Sequence, residues 1–304
     1  MEHHSDEPLP AFTKERALAT AVAACNRLGI ASNGARVLKP PADNAVVAIP
    51  SAGLLARIGA DRSHESRLRT ELHAARWLIR RGVPAARPRD EYPQLVHEDG
   101  RVITWWELVD SRRSGSPAQL AALLRQLHAQ GPPWPTGLPR LDPWVRLREH
   151  VEDATGVPAS ERAFLRRHLE ELQAEWSKRS HDWPEGMVHG DAHTGNTLDL
   201  GNGLAVLIDL ERVSIGPTQW DTAVAVTYHH IGWYDDCAFA DYATAYGRDP
   251  THDEGMDLLV RIRMLRMTAW YASRTNREPE IVDDVLHRIA TLRDPSIAKR
   301  WKPG

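Results

Sequence analysis

"MVHGDAHTGN", residues 187–196, decides how the rest of the chain is read. The stretch holds two histidines, an aspartate and an asparagine in one glycine-interrupted turn. Two chemistries use such letters. His189, Asp191 and His193 alternate as in the H-x-D-x-H part of some binuclear metal hydrolases, which need further histidines from other elements. Asp191 and Asn196 also stand five apart. A phosphotransferase uses that spacing for a hydroxyl-orienting carboxylate and an oxygen ligand of magnesium. The local letters permit both.

The surrounding sequence chooses between them. His229 and His230, the downstream candidates for a hydrolase, sit beside Tyr228 and Ile231 in a stretch with helical spacing, where packing or exposure is the ordinary role. The phosphotransferase reading makes further demands, and the chain meets them in order. "LAVLI" (204–208) is a short apolar strand that delivers a second metal-binding carboxylate, Asp209. "LLARI" (54–58) delivers Arg57, a cation on an N-terminal strand for the nucleotide phosphates, and the next helix supplies Glu71 to hold it. The phosphotransferase reading wins.

The organisation agrees. Ala17, Ala21, Ala24 and Leu28 repeat on one helical face, and Gly29 stops that helix. Strands are expected at 36–38, 45–49 and 54–58, the last two joined as a hairpin through Pro50, Ser51 and Gly53. Leu68, Leu72, Ala75 and Ile79 predict a helix over 63–81 closed by Gly82. "RVITWWELV" (101–109) is strand-like, and "SRRSGSP" (111–117) is the linker. Beyond it the chain reads helical, interrupted by a small hairpin around the opening stretch. One helix follows Pro117, another runs through Leu165, Leu169, Leu172 and Trp176, and the last span about 217–230, 236–246, 255–275 and 280–292.

"HGDAHTGN" followed by "LIDLERVSIGPTQWDTA" (207–223) resembles the aminoglycoside phosphotransferase and choline kinase-like superfamily, whose pattern is H-G-D-x-x-x-x-N, then I-D, then G-P and a later Asp. "LLRQLHAQG" (123–131) is similar to its L-x-x-L-H helix, and "ELHAARWLIRRGVPAARP" (71–88) to its helix-plus-GVP segment. The likeness covers about residues 35–230 and is unspecific for substrate. It implies an α+β, two-lobed, protein-kinase-like fold. Residues 1–109 would be the small antiparallel-sheet lobe that binds nucleotide. Residues 110–304 would be the larger helical lobe with the catalytic loop and acceptor site.

The resemblance also implies roles. Asp191 is the catalytic base, Asn196 and Asp209 hold magnesium, His189 braces the loop and Asp221 anchors it. The segment Thr104–Val109, with Trp106, Glu107 and Leu108, offers backbone groups to the base of ATP or GTP. "KPPADNA" (39–45) matches the loop over the phosphates, with Asn44 and Ala45 as its candidates. Two departures stand out: residues 40–45 contain no glycine, and Arg57 replaces the lysine of many relatives. Glu211, two residues past Asp209, reads equally as a water-mediated metal contact or a turn cap.

Composition narrows the partners. A net charge of −3 without a basic run excludes the footprint of a nucleic-acid binder. The acidic start "MEHHSDEPLP" is unlike a signal peptide, and no window has the apolar length of a membrane span, so a cytoplasmic protein without membrane contact is expected. Cys25 and Cys237 read as buried thiols rather than a disulfide. Acidic residues between Asp235 and Asp257 predict a cationic, hydroxyl-bearing acceptor, with Arg261, Arg263 and Arg266 as neutralising neighbours. Trp233, Tyr242, Trp270 and Tyr271 are spaced for core packing. The acceptor classes are an antibiotic, a sugar or amino alcohol, or a serine or threonine of a modified peptide. A non-catalytic nucleotide-binding pseudokinase is the alternative of another class.

Overall fold

The computed structural model describes residues 9–39, 41, 44–109, 113–179, 183–297 and 299–303. By packing they form two compact units. The first holds the described residues up to Arg113, with Pro135–Gly137 and Leu198–Arg212; the second holds Ser114–Trp134, Leu138–Thr197 and Val213 onward. The loop 39–45 lies partly outside the described residues.

In the first unit, β1 (Arg36–Lys39), β2 (Asn44–Ile49), β3 (Leu54–Gly59), β4 (Val96–Glu98) and β5 (Arg101–Glu107) form an antiparallel sheet in the order β1-β2-β3-β5-β4. Successive side chains on a strand point to opposite faces, so each strand sorts its residues into two sets. Ala45, Val47, Ile49, Leu54, Ala56, Ile58, Ile103 and Trp105 pack on Ala17, Ala21, Ala24 and Cys25 of α1 (Lys14–Arg27). The alternate set carries Asn44, Arg57, Thr104 and Trp106 to the other face, with Arg57 opposite Thr104 in the register. The helix α2 (Glu65–Arg80) buries Leu68, Leu72, Ala75 and Leu78, and between them the charged Glu71. Helical spacing therefore places one carboxylate inside an apolar stripe. β4 escaped the sequence reading because three partly buried residues carry no periodicity.

The second unit begins with α3 (Pro117–His128). Its start is fixed by a capping box in which Ser116 and Gln119 bond reciprocally, with proline at the first helical position. α4 (Leu147–Asp153) and α5 (Ala159–Arg179) follow, and then β6 (Glu185–Val188) leads into the 189–196 loop. The chain next makes a hairpin, β7 (Thr197–Gly201) and β8 (Leu204–Leu207), whose residues from Leu198 onward pack with the first unit. Its tip is Asn202–Gly203 with both φ angles positive, 52° and 77°, as the two-residue hairpin turn requires. β9 (Ser214–Pro217) pairs with β6, so the strand before the loop is joined to the segment after Asp209 and not to β8.

α6 (Gln219–His230), α7 (Asp236–Tyr246), α8 (Met256–Ala272) and α9 (Val282–Arg293) complete the unit. Leu258, Leu259, Ile262, Leu265 and Ala269 of α8 are fully buried. A helix apolar on nearly every side belongs in the middle of a bundle. Among the aromatics expected in the core, Tyr242 and Tyr271 are buried, whereas Trp270 is 45% exposed. Cys25 is a buried free thiol, pushed by burial up to about 11, but Cys237 is exposed, against the expectation for it. Among the described residues no helix is long and apolar enough to cross a membrane.

Candidate active site

The first unit builds an ionic cluster around Arg57. Its Nη1 lies 3.0 Å from Glu71 Oε1, and its Nη2 lies 2.6 Å from Asp209 Oδ1 and 2.8 Å from Glu211 Oε2. Glu211 also accepts the Asn44 side-chain N–H at 3.1 Å. One guanidinium therefore faces three carboxylates, a group two charges negative when all three are ionised. Burial disfavours the charged form of Arg57, yet the carboxylates of Glu71, Asp209 and Glu211 outweigh it and raise its pKa. Glu71 is treated differently. Burial pushes its carboxyl up, and Asp209 and Glu211 push the same way; the Arg57 guanidinium opposes them without winning, leaving Glu71 at about 7. The 3.0 Å contact makes Arg57 and Glu71 a pair, with Arg57 the firmly charged member.

Asp209 has φ 59°, a left-handed conformation uncommon outside glycine. Such strain persists only where the surroundings hold it, and it concentrates at functional sites. Asp209 and Glu211 are about one-fifth exposed, so their hard carboxylate oxygens suit a hard divalent cation such as magnesium. Glu211 is a member of the cluster that the sequence left undecided, and Asn44 is tied to it.

The second unit builds the loop around Asp191. Gly190, with φ 85°, turns the chain after His189. The fully buried Asp221 of α6 accepts the His189 N–H at 2.7 Å on Oδ2 and the Gly190 N–H at 3.0 Å on Oδ1. The Gly190 carbonyl accepts from Trp220 Nε1 at 3.0 Å, and Arg263 Nη2 stands 3.5 Å away. The Asp191 N–H donates to His189 Nδ1 at 3.3 Å, and the Asp191 carbonyl accepts from Asn196 Nδ2 at 2.9 Å. The peptide groups entering and leaving Asp191 are thus fixed. Because only the amide nitrogen can donate to that carbonyl, Asn196 keeps its oxygen as an acceptor, which fits a metal ligand.

Burial alone would raise the Asp221 carboxyl, but the His128 hydrogen bond, the His128 and His189 rings and the His189 N–H hold it below the ordinary carboxylate value. Tyr228 is pushed up to about 12, by burial first and the Asp191 charge second. That places a neutral phenol in the field of Asp191. His189 Nδ1 accepts a hydrogen bond rather than joining His193 on a metal. Among the described residues no three His, Cys, Asp or Glu side chains converge as metal ligands.

In the Thr104–Val109 segment, the buried Trp106 bonds through Nε1 to Thr104 Oγ1 at 2.8 Å. The N–H groups of Glu107 and Leu108 donate to the carbonyls of Arg87 and Gly53 at 2.8 and 2.9 Å, so both donors are engaged within the unit. The segment borders a cavity of about 620 Å³ that includes Val83, Ala85, Leu108, Val109, Leu200 and Val206. Arg57, Glu71 and Asp209 do not line it.

The acidic run 235–257 serves local structure instead of forming an open negative face. Asp235 and Asp249 cap helical turns, accepting from Ala238 and Thr251. Asp253 pairs with Arg248, Asp257 with Arg179 and Arg261, and Asp236 with His229. Arginines thus match Asp253 and Asp257, and backbone N–H groups engage Asp235 and Asp249, so the run offers less open negative charge than its sequence suggests. Sequence reading also gave His128 no role. Its Nε2 lies 3.0 Å from Asp221 Oδ2.

Comparison with known proteins adds the following. Residues 35–259 match the phosphotransferase enzyme family. A homoserine kinase of Beijerinckia indica subsp. indica is 27% identical in an alignment of 162 positions that covers 49% of this chain and 49% of that protein. The chain thus spans about half the length of the curated relatives it matches. A choline/ethanolamine kinase family protein from Mesorhizobium loti superposes with a TM-score of 0.65 at 18% identity, covering 94% of this chain and 96% of that one. The GDP and kanamycin complex of APH(2")-IIIa gives 0.66 at 14% identity, covering 92% and 99%. These likenesses establish a kinase-like α+β fold with a small antiparallel-sheet lobe and a larger helical lobe. With three quarters of its length matched, the chain belongs to the phosphotransferase enzyme family.

Proposed function

We propose that the protein transfers the γ-phosphoryl group of ATP or GTP, with magnesium, to a hydroxyl of a small amine-bearing alcohol. The observation that carries this reading is the loop around Asp191, whose flanking peptide groups each have a partner. In-line phosphoryl transfer asks little covalent chemistry of the protein and depends on positioning and charge. Asp191 accepts the hydrogen bond of the acceptor hydroxyl, aims the hydroxyl lone pair at phosphorus and takes the proton as the new P–O bond forms and the bond to the departing nucleoside diphosphate breaks. Asn196 and Asp209 would hold magnesium, which when bound neutralises charge on the phosphate oxygens. Arg57, kept charged by its carboxylates, grips the nucleotide phosphates; Glu71 fixes it from the helix side. Asn44 and the Thr104–Val109 segment serve the nucleotide, the latter by means other than the engaged Glu107 and Leu108 N–H groups, and His189 and Asp221 hold the loop.

The acceptor class rests on other grounds than the acidic run. The named relatives concern homoserine, choline or ethanolamine, and kanamycin, all of which carry a hydroxyl together with an amino or quaternary ammonium group. In this chain Tyr228, in the field of Asp191, meets Trp233 and Tyr234 at ring-centroid distances of 4.8 and 5.4 Å. Aromatic faces of this kind attract an ammonium group. The test is a mass-spectrometric screen with ATP or GTP and magnesium. Its panel holds amino alcohols, homoserine, aminoglycosides, a plain sugar and a serine peptide. A phosphorylated amino alcohol is the expected product. A peptide product would replace the acceptor class. Magnesium-dependent nucleotide binding with no product from any acceptor, nor hydrolysis, would make the protein a binding module.

A further inference from the structure

His128 closes the L-x-x-L-H segment of α3, and its side chain is 6% exposed. The ring stands between two buried groups from different helices. Nε2 lies 3.0 Å from Asp221 Oδ2 on α6, and Nδ1 lies 2.8 Å from the Tyr246 hydroxyl on α7. The proton positions follow from chemistry. Asp221 is a carboxylate that already takes two backbone N–H groups, so it can only accept, and His128 Nε2 must carry a proton. Burial raises the Tyr246 phenol, which therefore keeps its proton beside Nδ1 and holds the other edge of the ring.

The contacts form one chain: the Tyr246 hydroxyl to His128 Nδ1, His128 Nε2–H to Asp221 Oδ2, and the His189 and Gly190 N–H groups onto Oδ2 and Oδ1 of the same carboxylate. The peptide groups so held are those immediately before Asp191. We infer that His128 and Tyr246 are positioning residues: their relay fixes the Asp221 carboxylate and, through it, the direction of the Asp191 side chain. This rests on the proposed role of Asp191. Without the His128 donor, Asp221 loses one of the three hydrogen bonds that fix its carboxylate against the loop. A misplacement of about 1 Å at a reacting group costs roughly 100-fold in rate.

The experiment uses magnesium-dependent ATP hydrolysis, with water as acceptor, so that no acceptor need be known. Four variants are compared with the parent: His128→Leu, which fills space without donating; His128→Gln, whose amide N–H can still reach Asp221; Tyr246→Phe; and Asp191→Asn as control. His128→Leu should lower kcat by about 10- to 100-fold with the ATP KM nearly unchanged. His128→Gln should recover most of that loss, and Tyr246→Phe should fall between Gln and Leu. Amide exchange at His189 and Gly190 should quicken in His128→Leu and stay near the parent in His128→Gln. Parental kcat in His128→Leu, or equal losses in Leu and Gln with unchanged exchange at both amides, overturns the inference. Should His128→Leu fail to fold, parental kcat in Tyr246→Phe overturns it. Retained turnover in Asp191→Asn overturns instead the reading on which the inference rests.

Discussion

Replacing Arg57 by methionine removes the cation that three carboxylates share. Arg57 and Glu71 are 8% and 3% exposed at the side chain. Deleting one partner of a pair so buried costs about 3–5 kcal/mol. Asp209 and Glu211, at 22% and 20% exposure, recover water and add little. Glu71 limits the damage by taking a proton. Burial already holds it at about 7, and without the Arg57 field it rises further. Above pH 7 the folded variant therefore binds more protons than the folded parent, while the unfolded chains bind alike. Stability falls with rising pH wherever the folded state holds the extra proton, by about 1.4 kcal/mol per pH unit. The gap between parent and variant should widen by about 1 kcal/mol from pH 7 to pH 8. Urea unfolding at pH 6, 7 and 8 measures it. Arg57→Lys keeps the charge but cannot fork toward Glu71 and Asp209 together, so it should lose about 1.5–3 kcal/mol for one charge-assisted hydrogen bond, without the widening. In steady-state kinetics the methionine variant should raise the nucleotide KM strongly, with lysine retaining part of the activity. A methionine variant within about 1 kcal/mol of the parent at pH 8, or a gap independent of pH, refutes the reasoning.

Asp221→Asn leaves one oxygen where two accepted three N–H donors, so one buried donor should meet an amide at a cost of about 1–3 kcal/mol, with kcat falling too. Urea midpoints at constant m-value and turnover check this, and parental values in both would exclude the anchor. For Glu71 the folded pKa, about 7, lies above its ordinary 4.5, so its contribution is full below 4.5 and lost as pH rises through 7. Glu71→Gln should remove a slope worth roughly 3 kcal/mol across that window. If parent and Gln variant show parallel stability–pH curves, Glu71 does not hold the extra proton. Asp209→Ala should make ATP binding insensitive to magnesium; calorimetry with and without the ion tests it, and a parental magnesium response would exclude Asp209 as a ligand.

The sheet and most helices were legible because each buries one face, and burial imposes a period. The α1 stripe and the two-residue alternation in β2, β3 and β5 are of this kind. β4 and α4 were not, being too short to show a period. The β7–β8 turn carried a signal in Asn202–Gly203 that periodicity passes over. Asp191, Asn196 and Asp209 stood out as candidates because phosphoryl transfer constrains their order and spacing. Glu211 with Asn44, and His128 with Asp221, could not, since 167 and 93 residues separate the partners and no local pattern encodes such contacts. The acidic run misled for a related reason. A carboxylate before a helical turn is a cap as readily as part of a field, and Asp235 and Asp249 are caps.

The central claim is that Asp191, held by its loop, acts on the acceptor hydroxyl and not on the nucleotide. Asp191→Asn keeps the size of the side chain and the backbone contacts of the loop while removing the carboxylate. Turnover with the best acceptor from the screen should be compared with ATP affinity measured separately in the presence of magnesium. The account predicts kcat lower by about 10²–10⁴-fold with ATP affinity near that of the parent. Near-parental kcat, or a loss of ATP affinity that accounts for the whole loss of rate, would contradict it.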